Sequence, residues 1–183
     1  EKATITSNYG YLLFLQGANY ILPLIILPFL VRVLGTEKYG LVMFAQSMAV
    51  ILSVIVDFGF NLSGTREVSI VANEKKKLSE VFSAILILKI ILTAVAFLIL
   101  VLVTTFFARF SINKEVYILS FGIVIGQAIF PTWFFQGIEK MKVITAINVL
   151  AKLIFTALVF VVVKEETQYL LVPAFNSLGF IIS

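Results

Sequence analysis

Apolar residues fill long runs along this chain, and polar ones gather in short clusters between them. A helix needs about 20 apolar residues to cross the roughly 30 Å hydrocarbon core of a bilayer. On that measure the runs predict spans near 9–34, 39–62, 81–107, 116–138 and 142–163, with a last, incomplete one over 168–183. The connections are short. Only the stretch 63–80, "SGTREVSIVANEKKKLSE", has room for a surface helix, and Val68, Ile70, Val71 and Leu78 are too few for a clear amphipathic face, so a solvated loop is expected there. The final run provides about 24 Å of helix at 1.5 Å per residue, and the chain starts on Glu1 rather than Met. We therefore expect a piece of a longer protein, with no signal-peptide cleavage pattern in the first span.

The polar residues inside the spans carry the next step, because each costs free energy unless it meets protein or water. Thr145, Asn148, Lys152 and Thr156 follow one another at helical spacing and share one face of the fifth span. Gln46, Ser53, Asp57 and Asn61 do the same on the second, Ser120, Gln127 and Pro131 on the fourth, and Gln16, Asn19, Tyr20 and Pro23 on the first. Four such stripes predict a shared hydrated cavity, although amides and hydroxyls also hydrogen-bond between helices without any cavity. Lys89 and Lys152 lie well inside their spans, and a central lysine costs about 2.5–3.5 kcal/mol on insertion scales. Asp57 is the only acid in any span, so it can balance one of them, and an Asp57–Lys89 salt bridge is the natural pairing. Lys152, with no acid in its own span, then suggests an anion-binding cavity lined also by Thr145, Asn148 and Thr156. Pro23 and Pro28 in the first span, and Pro173 with Asn176 and Gly179 in the last, mark places where helices are expected to kink.

Composition narrows the class. The chain is 61% hydrophobic and 13% charged, where a soluble domain is about half apolar and a quarter charged. Its solvent is lipid. With no cysteine and no histidine, disulfides, thiolate chemistry and the commonest general base and metal ligand are absent, which argues against an enzyme, a metal site or a bound cofactor. The net charge of +4 is scattered over segment ends, so it does not form a nucleic-acid footprint. Lysine and arginine orient the chain. With the N-terminus in the cytoplasm, Lys2, Arg66, Lys75, Lys76, Lys77, Lys140 and Lys142 lie inside, while Arg32, Lys38, Arg109, Lys114 and Lys164 lie outside among balancing glutamates. The stretch "PTWFFQGIEKMK" at 131–142 fits the same frame, with Trp133, Phe134 and Phe135 in an interfacial aromatic belt and Glu139, Lys140 and Lys142 in cytoplasmic water.

Three stretches are more specific than greasiness: "PFLVRVLGTEKYGLVMFAQS" at 28–47, "DFGFNLSGTREVS" at 57–69 and "PTWFFQGIEKMKVITAINVLAK" at 131–152. In these the chain resembles the bacterial polysaccharide repeat-unit (O-antigen type) flippases of the multidrug/oligosaccharidyl-lipid/polysaccharide exporter superfamily. The resemblance implies an all-α polytopic helix bundle forming the N-terminal lobe, with about six helices, of a two-lobed alternating-access transporter. It also implies an inner-membrane protein that moves an undecaprenyl-diphosphate-linked oligosaccharide from the cytoplasmic to the outer leaflet, with a proton or sodium as coupling ion. On that reading Lys89 and Lys152, with Asn148, Thr145 and Thr156, face the diphosphate and sugar, while Asp57 and Arg66 balance charge near the inner gate and the prenyl tail stays in membrane lipid. A cation-coupled multidrug exporter of the same fold is the second reading. A membrane glycosyltransferase or polymerase is the third, disfavoured because no loop is long enough for a substrate domain and Glu165–Glu166 reads as a solvated turn.

Overall fold

A computed structural model describes the backbone of residues 2–182 and the side chains of residues 17, 21, 24–140 and 146–182. Helix α1 (Lys2–Asp57) covers the first two predicted spans, and only Gly35, at φ 73° and ψ 166°, leaves helical geometry inside it. A side chain with a Cβ adopts that φ at a cost, so glycine is the residue that can make this corner. Ile26 and Leu30 before it and Met43 and Gln46 after it line one cavity, so the chain folds back at Gly35. The backbone stays helical through Pro23 and Pro28, where kinks were expected.

After α1, Phe58 and Gly59 take positive φ, 46° and 84°, and redirect the chain into α2 (Phe60–Val71). The expected loop at 63–80 is therefore mostly helix, since α3 (Lys75–Phe106) already begins at the lysine triplet. A short α4 (Ala108–Ser111) turns the chain. The fourth predicted span is three helices, α5 (Lys114–Ser120), α6 (Gly122–Ile129) and α7 (Thr132–Gly137), interrupted at Phe121 and again at Phe130 and Pro131. Helix α8 (Met141–Val162) follows, then a 3-10 turn (Glu166–Gln168) and α9 (Leu171–Ile182). Pro173 sits in the first turn of α9, where its missing N–H has no helical acceptor to lose, so it begins this helix and does not interrupt it.

The main core gathers Leu34, Val42, Val56, Val116, Val124, Val159 and Val172 from α1, α5, α6, α8 and α9, with Val163 just after α8. Gly122 and Gly126 lie one turn apart on α6, and a Cβ on either would collide with Ser177 or the Phe180 backbone of α9, so the two helices meet at closer range than larger residues allow. Ser177 secures the contact by donating to the Leu119 carbonyl at 2.5 Å. Around this core the apolar exterior is extensive: Ile87, Leu88, Ile90, Ile91, Leu98 and Leu102 of α3 all lie exposed, a surface suited to lipid or to further protein and not to water. Among the described residues, three stretches, Leu24–Val71, Lys75–Phe106 and Lys114–Gly137, are long and apolar enough to cross a membrane. The molecule is an all-α membrane helix bundle.

A second, smaller core sits at one end. Trp133 of α7 is buried between α2 and α3, with Val68 and Ile85 as neighbours and its ring 5.7 Å from that of Phe82. The aromatic-belt expectation therefore fails for Trp133, which faces protein and not the membrane surface. Gly64 of α2 packs on the Trp133 ring, and Gly137 of α7 packs on Val68. The Thr65 hydroxyl, 2.6 Å from the Asn61 carbonyl, also lies 3.2 Å from the Trp133 carbonyl and from Gln136 Oε1. Helix α7 then closes with Glu139 in the left-handed region, its N–H on the Gln136 carbonyl and the Lys140 N–H on the Phe135 carbonyl. That is a Schellman ending, which stops the helix where the charges begin. Two of the three distinctive sequence stretches thus pack against each other. Gly137→Ala is expected to separate α7 from α2, because the new methyl meets Val68 and the Thr65 carbonyl. A loss of about 1–3 kcal/mol, the usual range for overpacking, should appear as a lower melting temperature of the purified protein.

Candidate functional site

Among the described residues, two cavities lie along the bundle, the first with a mixed lining and the second mostly apolar. The first, about 190 Å³, is lined by Ser53, Asp57, Asn61, Lys89, Gln127, Thr132 and Asn148, with Phe180 on its wall. It joins the polar stripes of the second, fourth and fifth predicted spans around a lysine from the third. Lys89 is 3% exposed, and its Nζ donates to Asp57 Oδ1 at 3.2 Å, forming the ion pair expected from the sequence. Asp57 stands at the last residue of α1, where the chain turns, and keeps 26% of its side chain exposed. The carboxylate is thus hydrated on one side while the ammonium is shielded. Ser53 turns its hydroxyl to its own helix, at 3.0 Å from the Ala49 and Val50 carbonyls.

The second cavity is larger, about 500 Å³, and sits nearer the Gly35 corner. Tyr39, Gln46, Lys152, Thr156 and Asn176 supply its polar groups, and Ile26, Leu27, Leu30, Phe155 and Phe180 its apolar wall. Its volume falls within the roughly 300–1,000 Å³ of ligand clefts, whereas the first cavity is sized for waters or an ion. Phe180 lines both chambers, and its ring centroid is 6.0 Å from Lys152 Nζ. The Lys152 ammonium over that ring gains a cation–π contact at the outer limit of its range.

The expected single cavity is therefore divided. Lys89 and Asn148 belong to the first chamber, Lys152 and Thr156 to the second, and the side chain of Thr145 lies outside the described residues, as do those of Gln16, Asn19, Tyr20 and Pro23. Arg66 is exposed on α2 and lines neither chamber. Ser120 is buried and donates to the Val116 carbonyl of its own helix at 2.7 Å, so it lines neither chamber and bonds within α5 and not between helices. Tyr39 and Asn176 were missed as site residues. Asn176 follows Pro173 at i+3, a helical spacing that could have pointed to it, whereas no polar stripe led to Tyr39. Among the described residues no cluster of acidic side chains could hold a metal ion.

Residues 5–183 match the family model described as "Polysaccharide biosynthesis protein". Two curated relatives carry the name "Putative O-antigen transporter". One, from Escherichia coli (strain K12), is 34% identical over 169 residues, covering 92% of this chain and 40% of its own length. The other, from Shigella dysenteriae, is 33% identical over 176 residues, covering 96% of this chain and 44% of its own length. The chain thus spans less than half the length of these relatives. No solved structure matches it significantly. With a family model matching nearly from end to end, the chain belongs to the polysaccharide biosynthesis protein family.

Proposed function

We propose that this chain is the N-terminal lobe of a flippase that carries an undecaprenyl-diphosphate-linked oligosaccharide from the cytoplasmic to the outer leaflet of the bacterial inner membrane by alternating access. The observation that carries the reading is Lys152, mid-helix on the wall of a ligand-sized cavity that also offers amide and hydroxyl groups. Lysine attracts a diphosphate as a point charge without fixing its geometry, which suits a cargo that must be released. Gln46, Thr156 and Asn176 match sugar hydroxyls, the apolar exterior leaves room for a prenyl chain, and the relatives' name, O-antigen transporter, supports a polysaccharide cargo. A cation exporter of this fold would call for a carboxylate available to its cargo, and Asp57 is engaged with Lys89. In a strain lacking its own transporter, the full-length protein should restore surface polysaccharide, and failure to do so at normal membrane levels would oppose the proposal.

The proposal places the N-terminus in the cytoplasm, with a proton or sodium as coupling ion. In the fold the Gly35 corner and the turn at 166–168 share one end, with Lys38 Nζ 4.9 Å from the Tyr169 ring centroid, while α2 and α7 lie at the other. Thr36 and Ser79 are exposed at these opposite ends. Single cysteines there should differ in intact cells: an impermeant thiol reagent is expected to label Thr36→Cys and spare Ser79→Cys. The reverse pattern would invert the assigned topology.

A further inference from the structure

We propose that Gln46 is a recognition residue of the second cavity, reading the sugar adjoining the diphosphate; this rests on the headgroup reading of that cavity proposed above. Gln46 lies on α1 past the Gly35 corner, lines the chamber with Lys152 and Asn176, and its Nε2 is shielded from solvent and meets no hydrogen-bond acceptor among the described residues. A buried donor left without an acceptor costs about 1–3 kcal/mol, and an apolar residue of the same shape would avoid that cost. The residue therefore keeps a donor that no described protein group uses. A ligand in the chamber can meet the need, because rotation of the terminal amide about its last torsion turns either NH2 or carbonyl oxygen towards the cavity. Presenting both a donor and an acceptor suits a sugar bearing hydroxyl or acetamido groups, whose oxygens accept and whose O–H and N–H groups donate. A bare diphosphate has acceptors only and already has the Lys152 charge.

The division of labour follows from position. Lys152 on α8 holds the charge that every lipid diphosphate shares, and Gln46, on a different helix, distinguishes what is attached to it. Among the described residues the other glutamines of the spans lie elsewhere: Gln127 lines the small chamber with the ion pair, and Gln136 stands beside Thr65 at the contact of α7 with α2.

The test uses the full-length protein in detergent with two probes, farnesyl diphosphate and farnesyl diphosphate carrying one N-acetylhexosamine, and compares wild type with Gln46→Met and Lys152→Gln. Gln46→Met is expected to bind farnesyl diphosphate as wild type does and the sugar-bearing probe about tenfold more weakly, the worth of one good hydrogen bond. Lys152→Gln should lose affinity for both. Without ligand, Gln46→Met should melt no lower than wild type, since a donor lacking an acceptor has been removed. Equal loss for both probes, unchanged binding of both, or a lower melting temperature of the empty variant would each overturn the assignment, the last by making Gln46 structural. Binding of neither probe by wild type would instead remove the headgroup reading itself, and this inference with it.

Discussion

Replacing Lys152 with alanine is expected to slow transport roughly 10- to 100-fold, the loss that follows from removing a charge-assisted contact of about 1.5–3 kcal/mol. The side chain is on the wall of the larger cavity and not at a helix end, so its charge is placed where a cargo passes. Lys152→Arg should keep a substantial part of the activity, because positive charge matters more than shape for a loosely held phosphate. Lys152→Glu should be the most severe, since it repels the same group. Polymer output in a strain lacking its own transporter, normalised to protein in the membrane, measures all three. Full activity of Lys152→Ala would place the lysine outside the cargo's path.

The second large effect concerns the ion pair. Asp57→Asn leaves the Lys89 ammonium shielded and without its carboxylate, and breaking a buried pair in this way costs about 3–5 kcal/mol. Because Asp57 is partly hydrated, the cost should fall at the lower end of that range. The single variant is expected to show lower thermal stability and impaired transport. Adding Lys89→Gln should recover part of both, since two neutral groups replace one stranded charge. A double variant no better than the worse single, at normal membrane levels, would show that the two residues act separately.

The ion pair was legible from sequence because only one acid stands in any span and a buried lysine needs a partner. The interior of α1 was legible as helix, but the fates of its prolines were not: surrounding helical geometry continues through Pro23 and Pro28 and breaks at Gly35 instead. Helix α2 was hidden for a different reason. Its local sequence, "FNLSGTREVSIV", is rich in residues that favour turns, and its packing comes from Trp133 and Gly137, more than sixty residues away. Periodicity reads along one helix and cannot see such a partner. The same limit explains the divided cavity. Asn148 and Lys152 lie one turn apart on α8 and read as a single stripe, yet they line different chambers, both bordered by Phe180 of α9. Nothing in the run "AFNSLGFII" distinguishes Phe180 from its apolar neighbours; its place depends on Gly126 letting the α9 backbone come close.

The central claim is that a lipid-linked oligosaccharide crosses the membrane through the Lys152 cavity. The most direct measurement reconstitutes the full-length protein in liposomes containing a fluorescent undecaprenyl-diphosphate-linked oligosaccharide, and follows how much of it an externally added, impermeant glycosidase can reach. Wild type should expose the inner-leaflet pool with time, and Lys152→Ala should do so at least tenfold more slowly. A wild-type rate no faster than protein-free liposomes, or equal rates for both proteins, would contradict the account.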